Sequence, residues 1–467
     1  MLRTRNEQPS LWESVLPEVC LRLPAELARV DEWLDDERFF APFVPYFSAR
    51  KGRPSVPLET YLRLMFLKHR YQLGYESLCA EVSDSISWRR FCRLNIDDPL
   101  PHPTTLMKIT TQCGEAAVEA LNEAVLAKAS AAKLVKTGKV RADTTVVPAN
   151  VNYPTDTGLL AHAASRIAGL VRRIKSAGGA TRTRFRDRSR AAGRRVRAIA
   201  SKLRLRGAQA REEAQATVRR ITGELAGLAT RTAHEAEAVL RNARRALRKA
   251  TGRTKGCLRR AIDELAISLE RTGRIAAQTR MRLAGDMPDS ATRLISLHDP
   301  DARPIAKGRL GKPVEFGYKA QVLDNEDGVI LDYTVEEGNP ADAPQLAPAV
   351  QRVRRRTGGT PRAVTADRGY GHASVENELH DLGVKTVAIP RKGKPGPVRQ
   401  QHERKPSFRK LVKWRTGCEG RISHLKHRYG WDRTRLDGRD RTAIWCGHGI
   451  LAHNLVKITA LAAAPTI

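Results

Sequence analysis

No apolar run in this 467-residue sequence approaches the eighteen or so residues needed to cross a bilayer, and the first ten, MLRTRNEQPS, carry no apolar signal core. Export and an integral membrane role are therefore not expected. Close cysteine pairs are absent too: Cys20, Cys79, Cys92, Cys113, Cys257, Cys418 and Cys446 stand singly and are odd in number. That pattern implies reduced thiols in a cytoplasmic setting, and it disfavours a structural zinc site, whose ligands come in closely spaced pairs. Acidic residues are in short supply, with 50 Asp and Glu against 83 Lys and Arg, a formal charge of +33. Such an excess opposes a compact fold by self-repulsion unless an anion is bound, which makes nucleic acid the leading partner.

The chain is long enough for two or three domains with ordinary cores. Residues 1–135 read as helices between Pro-rich stops. One runs from Pro57 with Leu58, Tyr61, Leu62, Met65 and Phe66 at core-facing spacing, and a second from Tyr75 with Leu78, Cys79 and Val82, the two separated by Gly74. With Trp88-Arg89-Arg90-Phe91 they suit either a DNA-reading helix-turn-helix or a plain bundle that supports the next domain. A further helix opens at Pro103-Thr104-Thr105, where a Thr can cap it. Between 139 and 147 a β-branched run predicts a strand with Asp143 on its more polar face.

Residues 160–285 are rich in Ala and Arg and nearly free of Pro, with basic residues outnumbering acidic ones by roughly three to one. Ile221, Leu225 and Leu228, then Leu258, Ile262, Leu265 and Leu269, recur at helical spacing and predict long helices packed as a hairpin, with breaks near Gly178-Gly179 and Gly252. Arg182, Arg184, Arg186, Arg188 and Arg190 alternate at every second position, which no single helix face accommodates, so this stretch is expected to order on DNA. The one-signed charge favours phosphate binding over a merely solvated surface.

Beyond residue 290 short strands alternate with helices. A strand pair, 315–323 and 329–335, turns across Asn325-Glu326-Asp327-Gly328; a helix follows from Pro344 to Val353, then a strand ending at Asp367, a helix through Leu379 and a strand at 384–389. Residues 397–407 read as a basic loop, with helices at 408–428 and 441–460. The order implies an α/β domain interrupted by the helical segment: 136–158 with 290–467, split by 159–289.

Asp367 falls at the carboxyl end of its strand, where open sheets bind ligands. Asp143 meets it if the two strands are neighbours. Paired carboxylates repel unless a cation neutralises them, and Mg²⁺ favours such hard oxygen ligands. A third carboxylate comes from the predicted helix at 408–428, where Val412, Arg415, Glu419 and Lys426 share one face. Asp156 is an alternative to Asp143, though it follows Pro154-Thr155 and suits a turn or helix cap. His424 and His427 are weaker candidates near Glu419. Tyr429 and Trp431, among Arg428, Arg433 and Arg435, fit either base stacking or the core.

The combination resembles a family. Arg141-Ala-Asp-Thr-Thr-Val-Val-Pro-Ala-Asn150, Ala363-Val-Thr-Ala-Asp-Arg-Gly-Tyr370 and Arg415-x3-Glu419-x6-Lys426 look like the three acidic motifs of bacterial insertion-sequence DDE transposases. Val412 stands where the third motif often carries a Tyr. The resemblance covers most of the chain, including an N-terminal helical domain. It implies a ribonuclease H-like domain in which Asp143, Asp367 and Glu419 are catalytic and bind two Mg²⁺ or Mn²⁺ ions. Arg415, Lys426 and Arg368, with Arg182, Arg184 and Arg186 of the basic segment, would contact DNA phosphates. It further implies double-stranded DNA as partner, a homodimer at synapsis and a bacterial, nucleoid-associated location. A nuclease that does not join DNA shares the triad, and a non-enzymatic DNA-binding protein accounts for the charge alone.

Overall fold

Six strands run through the described residues: β1 (Lys139–Pro148), β2 (Arg303–Ala306), β3 (Val314–Asn325), β4 (Ile330–Glu336), β5 (Ala363–Ala366) and β6 (Thr386–Ala388). The computed structural model describes residues 15–48, 50–52, 54–204, 208–307 and 313–464, so the stretch read for a signal core lies outside the described residues. The chain forms two compact units, Met1–Asn150 with Gly317–Ile467, and Val151–Phe316.

The first unit is built on a mixed sheet. Strand β1 pairs antiparallel with β3, which pairs antiparallel with β4; on its other side β1 runs parallel to β5, and β5 parallel to β6. Centrality explains why the polar–apolar alternation expected along β1 does not separate an inner from an outer face. Nearly every residue of the strand is buried, as in a strand covered on both sides. The β3–β4 turn falls at the expected tetrad: Asn325 Oδ1 accepts from the Val329 backbone N–H at 2.8 Å, and Gly328 takes φ +80°.

The helix Arg439–Ala462 is buried on nearly all sides, because the N-terminal helices pack on it and β4 lies against it. Asn454 anchors it by bonding both the N–H and the C=O of Ile330 at 2.9 and 2.8 Å. Gly447 is required where Tyr333 comes close: an added Cβ would stand 2.4 Å from its hydroxyl oxygen. The N-terminal helices Leu58–Arg70, Tyr75–Asp84 and Pro103–Ala131 lie where the spacing predicts. Ile86–Phe91 is only 6 residues long, and Arg89 is buried, donating to the carbonyls of Asn95, Ile96 and Asp98. That favours the supporting bundle over a helix-turn-helix.

Two expectations change. Residues 397–407 are not a loop, since Pro397 opens a helix, Pro397–Arg404, whose Arg399 is held by Glu376 and Glu403 at 2.8 Å each. The single helix expected at 408–428 is two, Pro406–Arg415 and Gly417–Arg428, separated at Thr416. At this break the Thr416 and Glu419 N–H groups donate three residues back, to Lys413 and Thr416, tightening the turn.

The second unit packs the helices Asp156–Ser176, Ser189–Lys202, Ala208–Leu247 and Gly252–Ala284 around Leu160, Leu225, Ile275, Ile167, Val239 and Leu265. The Arg182–Arg190 stretch is not helical until Ser189: Arg182 lies in a turn and the residues to Arg188 are irregular. Arg182, Arg184 and Arg186 are exposed, Phe185 packs against the core, and Arg188 pairs with Glu235. No helix among the described residues is long and apolar enough to cross a membrane.

Candidate functional site

The register brings the first two carboxylates together. Strands β1 and β5 pair in parallel as far as Ala142 and Ala366. The next residues are Asp143, midway along β1, and Asp367, just past the carboxyl end of β5, so the two carboxylates stand side by side where the parallel pairing ends. Asp367 takes the position at which open sheets bind ligands. Asp367 also caps the turn Arg368–Tyr370, accepting from the Gly369 N–H at 2.6 Å. A Cβ on Gly369 would lie 2.9 Å from that carboxylate.

Glu419 reaches the same place from the first turn of Gly417–Arg428, where the helix dipole favours an acidic residue. A buried network fixes the start of this helix. Arg141 on β1 grips Asp324 on β3 with two bonds of 2.7 and 2.8 Å and donates to the Trp414 carbonyl at 2.8 Å. Its guanidinium leaves no room for a side chain at position 417, where an added Cβ would lie 2.2 Å from Arg141 Nη1. Arg421, one turn on, donates to Asp324 Oδ2 at 3.3 Å.

Arg415 links the carboxylates. It donates to Asp143 Oδ2 at 3.1 Å and to Glu419 Oε1 at 3.3 Å. The Asp143 carboxyl is pushed up to about 6, chiefly by burial. The Thr144 N–H and Arg415 pull it back, while the negative charges of Asp367 and Glu419 raise it again. The negative charges of Asp367, half-buried, and Glu419, exposed, thus reach the buried Asp143 carboxyl. Among the described residues no three His, Cys, Asp or Glu side chains converge to hold a metal ion, and the Glu419 side chain is 63% exposed.

The remaining sequence candidates divide. Lys426 is half-buried two helical turns beyond Glu419, about 10 Å along the axis. Arg368 donates to the carbonyls of Arg391 and Gly393, so its guanidinium stitches a loop. Arg182, Arg184 and Arg186 are exposed on the second unit. Asp156 is the first residue of its helix behind the cap Thr155 and pairs with Arg282 at 2.9 Å. His424 packs edge-on against Tyr429 and His453, and His427 is exposed. Tyr429 and Trp431 are core residues, at 2% and 0% exposure. Sequence reasoning missed Arg141, Asp324 and Arg421; for the first two, a charged residue within an otherwise β-branched or apolar strand was the available signal, while Arg421, on the helix Gly417–Arg428, carried none.

Two family profiles match the chain. The Transposase domain (DUF772) matches residues 20–112, and the Transposase DDE domain matches residues 288–455. Asp367, Arg415, Glu419 and Lys426 lie inside the second match, and Asp143 lies outside both. No solved structure matches the chain.

Proposed function

Since the chain belongs to the DDE transposases, whose activity is DNA transposition, we propose that Asp143, Asp367 and Glu419 are its catalytic carboxylates and hold two Mg²⁺ or Mn²⁺ ions. The observation that carries this reading is the parallel register of β1 and β5, which sets Asp143 beside Asp367, with Glu419 close enough to raise Asp143 further. The mixed sheet is consistent with a ribonuclease H-like DDE domain.

The donor set fits these ions: hard oxygen ligands, one of them desolvated and repelled by the other two. When bound, such ions lower the pKa of an attacking water or 3′-hydroxyl and stabilise the leaving oxygen. The chain's own residues do the rest. Arg415 neutralises Asp143 and Glu419 while no other cation is there, and its planar fork then suits a DNA phosphate. Lys426 supplies a point charge further along the strand path. Asp367, fixed by the Gly369 N–H, keeps its second oxygen for a ligand.

The arginine-rich helical unit contributes sequence-independent affinity for the DNA backbone, and bringing two element ends together calls for a homodimer. Calorimetric titration with Mn²⁺ tests the carboxylate assignment without any turnover. Two ions should bind the intact protein, and Asp143→Asn, Asp367→Asn and Glu419→Gln should each lose at least one. Unchanged stoichiometry in all three contradicts the assignment.

A further inference from the structure

Lys68 closes the helix Leu58–Arg70 in a Lys-His-Arg triplet, a basic last turn of the kind that normally lies in water. Here the lysine is 2% exposed. The ammonium sits 4.1 Å from the Trp445 ring centre and 4.7 Å from that of Tyr75. No acidic residue forms an ion pair with it among the described residues, and the charge that acts on it is Arg435, of like sign. Burial first, and Arg435 second, push the Lys68 ammonium down to about 7. Beside it, His69 stacks on His448 at 5.5 Å, and neither ring nitrogen of His448 has a hydrogen-bond partner. Burial holds both imidazoles neutral, His448 at about 3.

Lys68, His69, Arg435 and Trp445, with Gln72, Asp432 and Arg433, line a cavity of about 120 Å³. Three cations face it against one carboxylate. Burial without a counter-charge makes Lys68 give up its proton near neutrality, and an oxyanion bound beside it would restore that proton. The space, a few water volumes at about 30 Å³ each, suits one tetrahedral oxyanion. A nucleobase is poorly served: the Trp445 face is covered by Lys68, and Trp445 Nε1–H is spent on the Gly430 carbonyl at 2.6 Å.

We propose that Lys68 and Arg435, with His69 and Arg433 beside them, form a phosphate-binding site apart from the catalytic carboxylates. Lys68 belongs to the region matched by the DUF772 transposase domain, whereas Arg433, Arg435 and Trp445 belong to the DDE domain match. The site therefore exists only where these two parts of the first unit pack together, and a bound phosphate ties them. Lys68 supplies the buried charge and Arg435 the exposed fork at the mouth. That the phosphate belongs to DNA rests on the transposase reading; the oxyanion chemistry does not.

The test uses the full chain and inorganic phosphate at constant ionic strength, followed by tryptophan fluorescence, with Trp445→Phe identifying the reporter. Phosphate should perturb Trp445 in the intact protein. Arg435→Gln, an exposed change that leaves folding intact, should weaken the response about tenfold or more, and Lys68→Met should abolish it. No response in the intact protein, or an undiminished one in Arg435→Gln, overturns the proposal. Duplex DNA binding measured across salt concentrations then identifies the source. A log–log slope reduced by about one in Arg435→Gln makes it a DNA phosphate. An unchanged slope, with the phosphate response gone, supports the site and makes its ligand a small free phosphate. Loss of Mn²⁺ binding in the carboxylate variants is read separately and leaves this result untouched.

Discussion

Arg415 donates to Asp143 at 3.1 Å from the end of one helix while Glu419, to which it also donates, begins the next. Both side chains of the Arg415–Asp143 pair are largely buried, at 16% and 12% exposure, so each partner depends on the other more than in a surface ion pair. Replacing Arg415 by Gln should lower metal-free stability by about 1–3 kcal/mol, because Asp143 is left desolvated without its cation. The same change should tighten Mn²⁺ binding, since a competing cation is gone. Thermal melts in chelator and in Mn²⁺ measure both. Weaker Mn²⁺ binding in Arg415→Gln would mean that the arginine holds the carboxylates in place and does not compete.

The raised Asp143 carboxyl sets a pH dependence. Its ordinary value of 3.8 rises to about 6 in the folded chain. The native state therefore keeps a proton between pH 4 and 6 that the unfolded chain has released, and this group's contribution to metal-free stability declines as pH rises through that window. A divalent ion must displace the same proton. The rise in melting temperature caused by Mn²⁺ should therefore shrink steadily as pH falls below about 6 and level off above it. A rise of equal size at pH 5 and pH 7.5 argues against Asp143 as a ligand.

Gly417 and Gly420 lie on one helix and should respond oppositely to alanine. At 417 the new Cβ would stand 2.2 Å from Arg141 Nη1, and Arg141 cannot swing aside without abandoning Asp324 and the Trp414 carbonyl. Gly417→Ala should cost about 1–3 kcal/mol by overpacking and depress DNA joining, because the helix bearing Glu419 moves. Nothing lies within 4 Å of a Cβ at 420, so Gly420→Ala should leave joining intact and add up to about 1 kcal/mol of helix stability. Denaturant melts and joining assays on the two variants decide.

Arg182, Arg184 and Arg186 are exposed on an irregular segment. Changing all three to Gln should alter stability by no more than about 0.5 kcal/mol. It should reduce the salt slope of duplex binding by up to about three, one for each phosphate that is no longer neutralised. An unchanged slope removes this stretch from the DNA-binding surface.

Much of this was legible because local rules and tertiary structure agree. The β-branched run at 139–147, the Asn325–Gly328 turn and the helical spacing of Leu58, Tyr61, Leu62 and Met65 each fix an element on their own. The neighbourhood of Asp143 and Asp367 was conditional on β1 and β5 being adjacent, which is a fact of the sheet and not of either segment. The break at Thr416 escaped helical periodicity because the group that takes the Trp414 carbonyl beside it, Arg141, lies far away in sequence. Lys68 escaped for a similar reason: a Lys-His-Arg triplet at a helix end reads as solvated until Trp445 and Tyr75 close over it. The aromatic residues Tyr429 and Trp431 had two readings in sequence, and packing against Cys446 and the His453 ring assigns them to the core.

The most direct measurement is metal-dependent cleavage and joining of DNA bearing the element's own ends, comparing the intact protein with Asp143→Ala, Asp367→Ala and Glu419→Ala. Loss of both reactions in each variant, with DNA binding retained, is expected. Joining that survives in all three would contradict the carboxylate triad and leave the basic chain as a protein that binds DNA without acting on it.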